Sequence, residues 1–256
     1  VLPPILKAKC VLTIHDLAFM RHPEWCSPRI SGYFARHIRR FAHRADRIIA
    51  CSDATRQDVM QLLEAPKERV VTVYEGADAR FRTMDPEHAR SIVEERWGIT
   101  EPYFLFVGAI EPRKNLVRLI EAFTHIARDI PHSLVFAGSV GWNAEPILHA
   151  MQTCQVAGRI RRLGYVEDHE LPPLYSGATA LTFPSLYEGF GLPVLEAMAC
   201  GCPVITGSNS SLPEVGGAAA LYVDALNTEE LAAALHHVAA DEGQRQTMRD
   251  QGLEQA

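Results

Sequence analysis

Long hydrophobic runs are absent from this sequence, although 47% of its 256 residues are hydrophobic. A membrane-spanning helix needs roughly 20 consecutive apolar residues, and no run approaches that length. The apolar residues instead form short blocks separated by charged stretches and by glycine or proline. This pattern is typical of a globular protein with a substantial buried core, and we expect a cytoplasmic location.

Patterns that bind metals are also missing. The six cysteines include no C-x2-C pair, which favours reduced thiols in a cytosolic protein. No Asp-x-Asp motif occurs, so we expect no metal ion and no other cofactor. The formal charge of −6 and the pI near 6.0 argue against nucleic acid as a partner.

The stretch from Ser185 to Ile205 contains most of the functional signal. A buried strand is predicted before it, Gly189 and Gly191 allow a loop backbone to approach a ligand closely, and a short helix is predicted from Pro193. This arrangement places free N–H groups and the positive end of a helix dipole above the carboxyl end of a sheet. The stretch therefore predicts an anion-binding site.

Two carboxylates bracket this predicted site, eight positions apart. Glu196 is predicted in the first turn of the helix, where the dipole stabilises an acidic side chain by roughly 0.3–1 kcal/mol without any ligand. The dipole does not account for Glu188, which lies in an apolar, glycine-rich loop. A carboxylate there needs a partner, such as ligand hydroxyls or a cation.

The segment Glu188-Gly-Phe-Gly-Leu-Pro-Val-Leu-Glu196, followed by Ala-Met-Ala-Cys-Gly-Cys-Pro-Val, resembles the E-x7-E signature of retaining, nucleotide-sugar-dependent glycosyltransferases of family 4. The resemblance implies the GT-B fold, in which two Rossmann-like, doubly wound α/β domains face each other across a cleft. It also implies that Glu188 contacts the donor sugar, that Glu196 binds ribose hydroxyls, and that loop amides hold the diphosphate. The donor-binding loop comprises Gly189, Phe190, Gly191 and Leu192.

A His-Asp pair near the start of the sequence fits the same family. His15 and Asp16 follow an apolar, β-branched run, at the carboxyl end of a predicted parallel strand, where ligands bind. Taken alone, such a histidine is more often a structural residue. The resemblance implies that His15 faces the donor sugar across the cleft as a catalytic residue, and that Asp16 lies on the acceptor side.

A basic pair follows another predicted strand, Tyr103 to Val107. Gly108 ends this strand, and Arg113 and Lys114 precede a helix. Their cations suit phosphate oxygens and offset the charge of a leaving diphosphate. The alternative is a pair of solvated charges on a loop. The resemblance to the family's Gly-to-Arg-Lys-Asn element weakens that alternative and implies that both cations bind the donor diphosphate as part of the catalytic set.

The run Gly164-Tyr165-Val166 follows a further basic and apolar strand pattern. The resemblance places Tyr165 and Val166 against the nucleotide base. An aromatic side chain at a strand end is suited to that contact. Tyr165 could equally be a core residue.

A basic segment with seven arginines extends from residue 21 to residue 47. Apolar side chains recur there at helical spacing and predict an amphipathic helix beginning near Pro28. Two interpretations stay open: an ordinary surface helix with a solvated basic face, and peripheral contact with an anionic membrane through residues 28–47. The apolar side chains are Tyr33, Phe34, Ile38 and Phe41.

Strands and helices alternate along the whole sequence and predict two doubly wound α/β domains. We place a partial, acceptor-side domain at residues 1–82, a linker with a short helix at 83–100, and a donor-binding domain at 101–256. Ser52 and Thr228 are the predicted N-caps of two helices. Family members begin well before the His-Asp pair, so we expect the sequence to be N-terminally truncated and to transfer sugar poorly.

The resemblance implies transfer of a hexose from a nucleotide-diphosphate sugar to a glycan or lipid-linked acceptor, with retention at the anomeric carbon. The run from Ile14 to Glu24 resembles mannosyltransferases of polysaccharide assembly, so GDP-mannose is the expected donor. Two alternatives remain. A non-catalytic nucleotide-binding or regulatory module would not need both His15 and Glu188, and a GT-B sugar phosphorylase would use free phosphate.

Overall fold

The computed structural model describes residues 8–256, except for the side chains of residues 29 and 30. The first seven residues of the domain predicted at 1–82 therefore lie outside the described residues. Within the described range, the strands form two separate sheets, both parallel throughout, and helices alternate with strands along the chain. The predicted α/β class is confirmed.

The first sheet has three strands in the order β1-β2-β3. Its small core includes Ile14, Leu17, Ile48 and Val59, all buried. Short 3-10 turns lie at Pro23–Trp25 and Lys67–Arg69. The elements are β1 (Val11–Ile14), α1 (Ala18–Arg21), α2 (Pro28–Arg44), β2 (Arg47–Ala50), α3 (Asp53–Leu62) and β3 (Val70–Thr72).

Two helix starts predicted for the first unit, which contains this three-stranded sheet, are confirmed. Helix α3 is capped by Ser52, whose Oγ accepts a hydrogen bond from the Thr55 amide at 3.0 Å, as predicted. Helix α2 begins at Pro28 as predicted. Its apolar face, however, is only partly buried, because the aromatic rings of Tyr33 and Phe34 are 49% and 37% exposed.

The interval predicted as a linker, residues 83–100, contains the twelve-residue helix α4 (Pro86–Trp97). The Asp85 side chain accepts from the His88 amide and caps this helix, and Gly98 ends it in the left-handed region. Ala89 and Val93 are fully buried, and the helix packs against Leu171–Gly177 in the second unit, which contains the six-stranded sheet described next. Helix α4 therefore packs with the second unit.

The second sheet has six strands in the order β6-β5-β4-β7-β8-β9. Strands β4 and β5 are apolar at nearly every position and fully buried, as expected where helices cover both faces of a parallel sheet. The strands are β4 (Tyr103–Val107), β5 (Ser133–Ala137), β6 (Ile160–Gly164), β7 (Ala180–Phe183), β8 (Val204–Gly207) and β9 (Leu221–Val223).

The helices of the second unit pack on both faces of this sheet. None of the helices in the described part of the chain combines the length and apolar character needed to cross a membrane. They are α5 (Leu116–Ile126), α6 (Glu145–Thr153), α7 (Leu171–Gly177), α8 (Leu192–Ala199), α9 (Leu212–Gly216), α10 (Thr228–Ala240) and α11 (Glu242–Gln255).

One predicted helix cap and one predicted helix start are wrong. The cap of α10 is Asn227, whose side-chain oxygen accepts from the Glu229 and Glu230 amides at 3.1 Å, and Thr228 is the first helical residue. The structure also begins α8 at Leu192 in place of Pro193.

Counted along the chain, the strand order of the second sheet is 3-2-1-4-5-6, the order of a Rossmann fold. The order reverses between β4 and β7. In such sheets, ligands bind beyond the carboxyl ends of the strands at this switch point. The segment after β4 contains the basic pair, the loop after β7 contains Glu188, and the helix α8 that follows this loop contains Glu196.

Candidate active site

A cavity of about 210 Å³ lies at the switch point, where the loops of the two units meet. The first unit contributes the loops that follow β1, β2 and β3, and the second contributes the loops that follow β4 and β7. The lining residues are His15, Asp16, Cys51, Glu75, Arg113 and the run from Glu188 to Pro193. The structure thus brings together most of the residues predicted from the sequence.

Glu188 is buried in this cavity between two cations. Its Oε1 accepts from Lys114 Nζ at 2.6 Å, and its Oε2 accepts from the Arg113 guanidinium at 2.7 Å. Arg113 also donates to the Tyr187 carbonyl oxygen at 2.8 Å. Each carboxylate oxygen therefore has a charged donor, which is the compensation that a buried carboxylate requires.

The charges in this group raise or lower one another's pKa. Burial alone would raise the pKa of Glu188, but Lys114 and Arg113 outweigh it, so the pKa lies below its ordinary value. For Arg113, burial is outweighed by Glu188 and Glu111, which raise its pKa. Glu188 is therefore an ionised acceptor at neutral pH.

Lys114 is itself buried, with a side chain only 8% exposed. Its Nζ lies 4.8 Å from the centre of the Phe183 ring at the end of β7, a cation–π contact. The 3-10 turn Pro112–Lys114 holds both cations, and the left-handed conformation of Asn115 then starts α5. The alternative of solvated loop charges is wrong for this residue.

The N-terminus of α8 opens at the cavity. Gly191 is its N-cap, with φ near 115°, and no side chain of the described residues caps it. By contrast, the amides of Asp53 and Ala54 at the start of α3 donate to the Glu214 carboxylate at 2.7 and 2.8 Å. One helix N-terminus at this interface is thus closed by protein, and the α8 terminus remains a place for an anion.

Gly189 also packs closely against the first unit, and its predicted approach to a ligand stays a prediction. A Cβ atom at this position would lie 1.9 Å from the His15 carbonyl oxygen and 2.8 Å from Asp16 Cβ. The glycine therefore permits close packing of the two units. Its carbonyl oxygen accepts from Ser52 Oγ at 2.6 Å and Thr55 Oγ1 at 3.0 Å, which ties the loop to the start of α3.

Glu196 lies apart from the two cations. Because α8 begins at Leu192, Glu196 is its fifth residue and stands outside the first turn, so the predicted dipole contact is wrong. Its carboxylate accepts from the Tyr175 hydroxyl at 2.8 Å. Burial raises the pKa of Glu196, the Tyr175 hydrogen bond opposes this, and the Asp168 charge adds to it.

His15 and Glu75 face each other across the ends of β1 and β3. His15 Nδ1 and Glu75 Oε1 are 2.9 Å apart, and the His15 side chain is 73% exposed. Asp16 Oδ1 accepts from the Ala18 amide and so stabilises the start of α1. His15 is thus accessible and oriented by a carboxylate, whereas Asp16 has one oxygen in a local backbone contact.

Among the described residues, His15, Cys51 and Glu75 form one group whose potential metal-ligating atoms lie within 4.8 Å of one another. The chemistry of the group favours hydrogen bonding. Burial raises the pKa of the Cys51 thiol to about 11, so the thiol is protonated at neutral pH. Its Sγ lies 2.9 Å from the His15 carbonyl oxygen, an acceptor for the S–H proton.

The remaining predicted donor residues lie around the cavity without lining it. Gly108 ends β4 with φ near 141°, and its carbonyl oxygen packs so closely on Gly138 that a Cβ atom there would lie 1.9 Å away. Tyr165 is 66% exposed, so its alternative assignment as a core residue is wrong, while Val166 is buried. Their roles in binding a base stay predictions.

Sequence reasoning missed several residues that shape the site. The Tyr187 hydroxyl donates to the buried Asp58 carboxylate at 2.6 Å, across the two units, and Asp58 also accepts from Arg21 Nε at 2.7 Å. Nothing in the sequence links positions 129 apart. Glu75 could have been predicted from the sequence. It follows β3 as His15 follows β1, and the carboxyl ends of parallel strands lie at one edge of the sheet.

Two family models together match nearly the whole chain. The model described as "Glycosyl transferases group 1" matches residues 90–255, and that described as "Glycosyltransferase Family 4" matches residues 2–81. The chain is 31% identical, over 97% of its own length, to O-antigen chain mannosyltransferase B of Escherichia coli. It is 29% identical, over 82% of its length, to the serotype-specific mannosyltransferase WbdA of Escherichia coli.

A solved structure confirms the fold. The Anabaena protein Alr3699/HepE, crystallised with UDP and glucose, superposes with a TM-score of 0.83 at 19% identity, over 96% of this chain and 66% of that one. The GT-B expectation therefore holds. The chain spans 66% of the length of mannosyltransferase B and 26% of WbdA. With the group 1 model matching more than half of its residues, this chain belongs to the glycosyl transferases group 1 family.

Proposed function

We propose that the protein is a retaining, metal-independent hexosyltransferase that moves mannose from GDP-mannose to a glycan or lipid-linked acceptor. The observation that carries the proposal is the buried Glu188 carboxylate, held by Lys114 and Arg113 at the switch point of a Rossmann-like sheet. Two relatives named mannosyltransferases support the choice of sugar. The family to which the chain belongs supports the reaction class.

In this proposal the donor diphosphate lies at the open N-terminus of α8, and the sugar points towards His15 and Glu188. The bond between the anomeric carbon and the diphosphate oxygen breaks, and its electron pair goes to the phosphate. The acceptor oxygen bonds to the same face of that carbon, and the hydroxyl proton passes to the leaving phosphate oxygen. Arg113 and Lys114 stabilise the developing negative charge, so the reaction needs no metal ion or other cofactor.

Calorimetry with GDP and with guanosine tests the role of the cations. Arg113→Ala and Lys114→Ala should each weaken GDP binding at least about tenfold, the loss expected when one charge-assisted hydrogen bond to phosphate is removed, and leave guanosine binding unchanged. Arg128→Ala, which removes an exposed arginine just beyond the C-terminal end of α5, is the matched control. Equal losses for GDP and guanosine would remove both residues from a diphosphate site.

The donor is identified by thermal shift across nucleotide-diphosphate sugars, because a ligand that binds only the folded state raises the melting temperature. We expect GDP-mannose to give the largest increase. A larger increase with another nucleotide sugar would change the sugar and leave the reaction class intact. Stabilisation by inorganic phosphate and a glycan, but by no nucleotide sugar, would favour a sugar phosphorylase.

We also propose that the protein is cytoplasmic and contacts anionic membrane through residues 28–47. The exposed rings of Tyr33 and Phe34 on α2 stand beside exposed Arg36 and Arg40. Aromatic side chains next to basic ones suit the interface of an anionic bilayer, where each cation contributes about 1 kcal/mol.

Liposome flotation tests this contact. Binding should require anionic lipid, fall with salt, and weaken in Arg36→Glu/Arg40→Glu. Arg128→Glu, an exposed charge reversal just beyond the end of α5, is the control. Flotation that is independent of anionic lipid at low salt would contradict the proposal.

A further inference from the structure

A second cavity, of about 280 Å³, lies beside the candidate active site. One wall comes from the first unit, through His22 and Trp25 in the turn after α1. The opposite wall comes from the loops that follow β7, β8 and β9. Nothing in the predicted donor site uses this cavity. Its lining includes His22, Trp25, Leu186, Ser208, Asp224 and Leu226.

The second cavity adjoins the donor site, because residues of its wall contact residues of that site. The Leu186 amide donates to the Arg113 carbonyl oxygen at 2.9 Å, and Leu186 is two residues from Glu188. The His22 ring centre lies 6.1 Å from that of Tyr187. One wall of the second cavity is therefore formed by the same loop that holds the Glu188 carboxylate.

The position of the cavity along the sheet is also informative. The predicted base contacts, Tyr165 and Val166, follow β6 at one edge of the sheet, and the cations and Glu188 follow β4 and β7 in the middle. The second cavity lies beyond them, at the ends of β7, β8 and β9. A donor lying across the sheet from base to sugar would place its reactive carbon at the side nearer the second cavity.

The chemistry of the lining selects a class of ligand. The His22 and Trp25 rings are stacked, with centres 3.9 Å apart, and give the cavity an aromatic wall. Such walls pack against the C–H faces of sugar rings, while a few polar groups set orientation. The Asp224 carboxylate accepts from the Leu226 amide at 2.8 Å and is thereby held at the rim beside Ser208.

The charge and the volume of the second cavity further restrict the class of ligand that it can bind. A carboxylate at the rim, with Glu24 beside His22 at 3.2 Å, disfavours a phosphate and favours a neutral polyhydroxy ligand. The volume is below the roughly 300–1,000 Å³ typical of drug-sized ligands. It is sufficient for one sugar ring.

We propose that this cavity binds a pyranose ring of the acceptor glycan, with Trp25 as its aromatic wall and Asp224 as a hydroxyl acceptor. The inference rests on the proposed function, since an acceptor has meaning only for a transferase. It places the acceptor between the two units. The C-terminal unit thus contributes to acceptor binding as well as to donor binding.

Saturation-transfer NMR tests the site on the full chain, with the methyl glycosides of mannose, glucose and galactose as probes. At least one methyl pyranoside should show saturation transfer from the wild-type protein. Trp25→Ala and Leu226→Arg should each weaken that binding at least tenfold. Leu226 is 65% exposed, so this second variant narrows the cavity without disturbing the core.

Two controls separate this proposal from the proposed function. GDP binding, measured by calorimetry, should be the same within twofold in the wild type, Trp25→Ala and Leu226→Arg. Tyr33→Ala, which removes an exposed aromatic ring outside the cavity, should leave pyranoside binding unchanged. A failure of the wild type to bind GDP would count against the donor site alone.

Three results would overturn the acceptor site, two of them from the pyranoside measurements. One is the absence of binding by all three pyranosides, and the other is binding that Trp25→Ala and Leu226→Arg leave unchanged. The third is displacement of a bound methyl pyranoside by an octyl glycoside, with saturation transfer to the octyl group only. That result would assign the cavity to a lipid.

Discussion

The two ends of the segment Glu188–Glu196 have the same side chain in different surroundings. Glu188 is buried and receives hydrogen bonds from Lys114 and Arg113, and its pKa lies below the ordinary value. Glu196 receives one hydrogen bond, from Tyr175, and its pKa is raised. Burial raises the pKa at both ends. The difference arises because two hydrogen-bonded cations outweigh burial at Glu188, whereas the charge of Arg80 does not outweigh it at Glu196.

This contrast separates two tasks within one motif. The carboxylate at the Glu188 end is already neutralised by protein cations and stays ionised over the physiological pH range. At the Glu196 end, the Tyr175 hydrogen bond and the charge of Arg80 lower the pKa but do not outweigh burial, so the pKa is raised. Identical residues eight positions apart are therefore tuned by what the fold brings next to each of them. Changes that remove this difference should be measurable.

The largest effect is expected from Lys114→Met, which keeps the length of the side chain and removes the charge at the Glu188 end. A buried carboxylate that loses one of its partners costs about 3–5 kcal/mol. We expect the free energy of unfolding, measured by chemical denaturation, to fall by that amount. The double variant Lys114→Met/Glu188→Gln should regain part of the loss.

Lys67→Met is the matched control, because Lys67 is exposed at the surface. It should change the free energy of unfolding by less than about 0.5 kcal/mol. If Lys114→Met were no more destabilising than this control, the buried ion pair would not stabilise the Glu188 end.

Gly189→Ala should have the next largest effect. The added Cβ would meet the His15 carbonyl oxygen at 1.9 Å, and backbone atoms cannot move aside as a side chain end can. Such overpacking costs about 1–3 kcal/mol. Thermal unfolding measures it, with Gly158→Ala as control, since a Cβ there has no atom within 4 Å. Equal melting temperatures for the two variants would show that the units do not pack this closely.

Glu196→Gln should have the opposite effect and raise the free energy of unfolding at pH 7 by up to about 1 kcal/mol. The raised pKa of Glu196 means that its stabilising contribution is complete below the unfolded pKa, about 4.3, and is lost as the pH rises through the folded pKa. Glutamine mimics the protonated form and avoids that loss. The gain should therefore vanish near pH 4.

Glu188→Gln provides the comparison, because its lowered pKa gives the reverse dependence. The contribution of Glu188 is present above the unfolded pKa and disappears as the pH falls through the folded pKa. This variant should lose stability at pH 7. Destabilisation by Glu196→Gln at pH 7 would contradict the raised pKa of Glu196.

The smallest effect is expected from Tyr175→Phe, which removes the one hydrogen bond that lowers the pKa of Glu196. A hydrogen bond worth about 1 kcal/mol corresponds to about 0.7 pH unit, so the pKa should rise by that amount. NMR titration of the carboxyl carbon measures it. Tyr222→Phe, whose hydroxyl bonds to Gly217, should leave the titration unchanged. A fall in the pKa would reverse the assignment.

The parts that were predictable from sequence are local. The helix cap at Ser52 follows from an oxygen placed three residues before the amide it accepts from. The start of α2 at Pro28 follows from the missing N–H of proline. The cap of α10 was predicted one residue late because Asn227 and Thr228 are both competent caps, and the pattern alone does not rank adjacent candidates.

Contacts between the two units were not predictable. Glu214 caps α3 from 160 residues away, and Tyr187 reaches Asp58 over 129. The closeness of Gly189 to His15 is of the same kind. Each depends on how two folded surfaces meet, and no periodicity or spacing along the chain encodes that distance.

By itself, the sequence determined the α/β class, the strand ends at which the site residues lie, and the identity of their side chains. Periodicity, glycine positions and motif spacing are local properties, because they affect backbone conformation within a few residues. The tertiary structure alone decided that Lys114 and Arg113 meet Glu188 and that Glu196 stands apart from them. Electrostatic tuning depends on distance and burial, and both arise only when distant segments pack together.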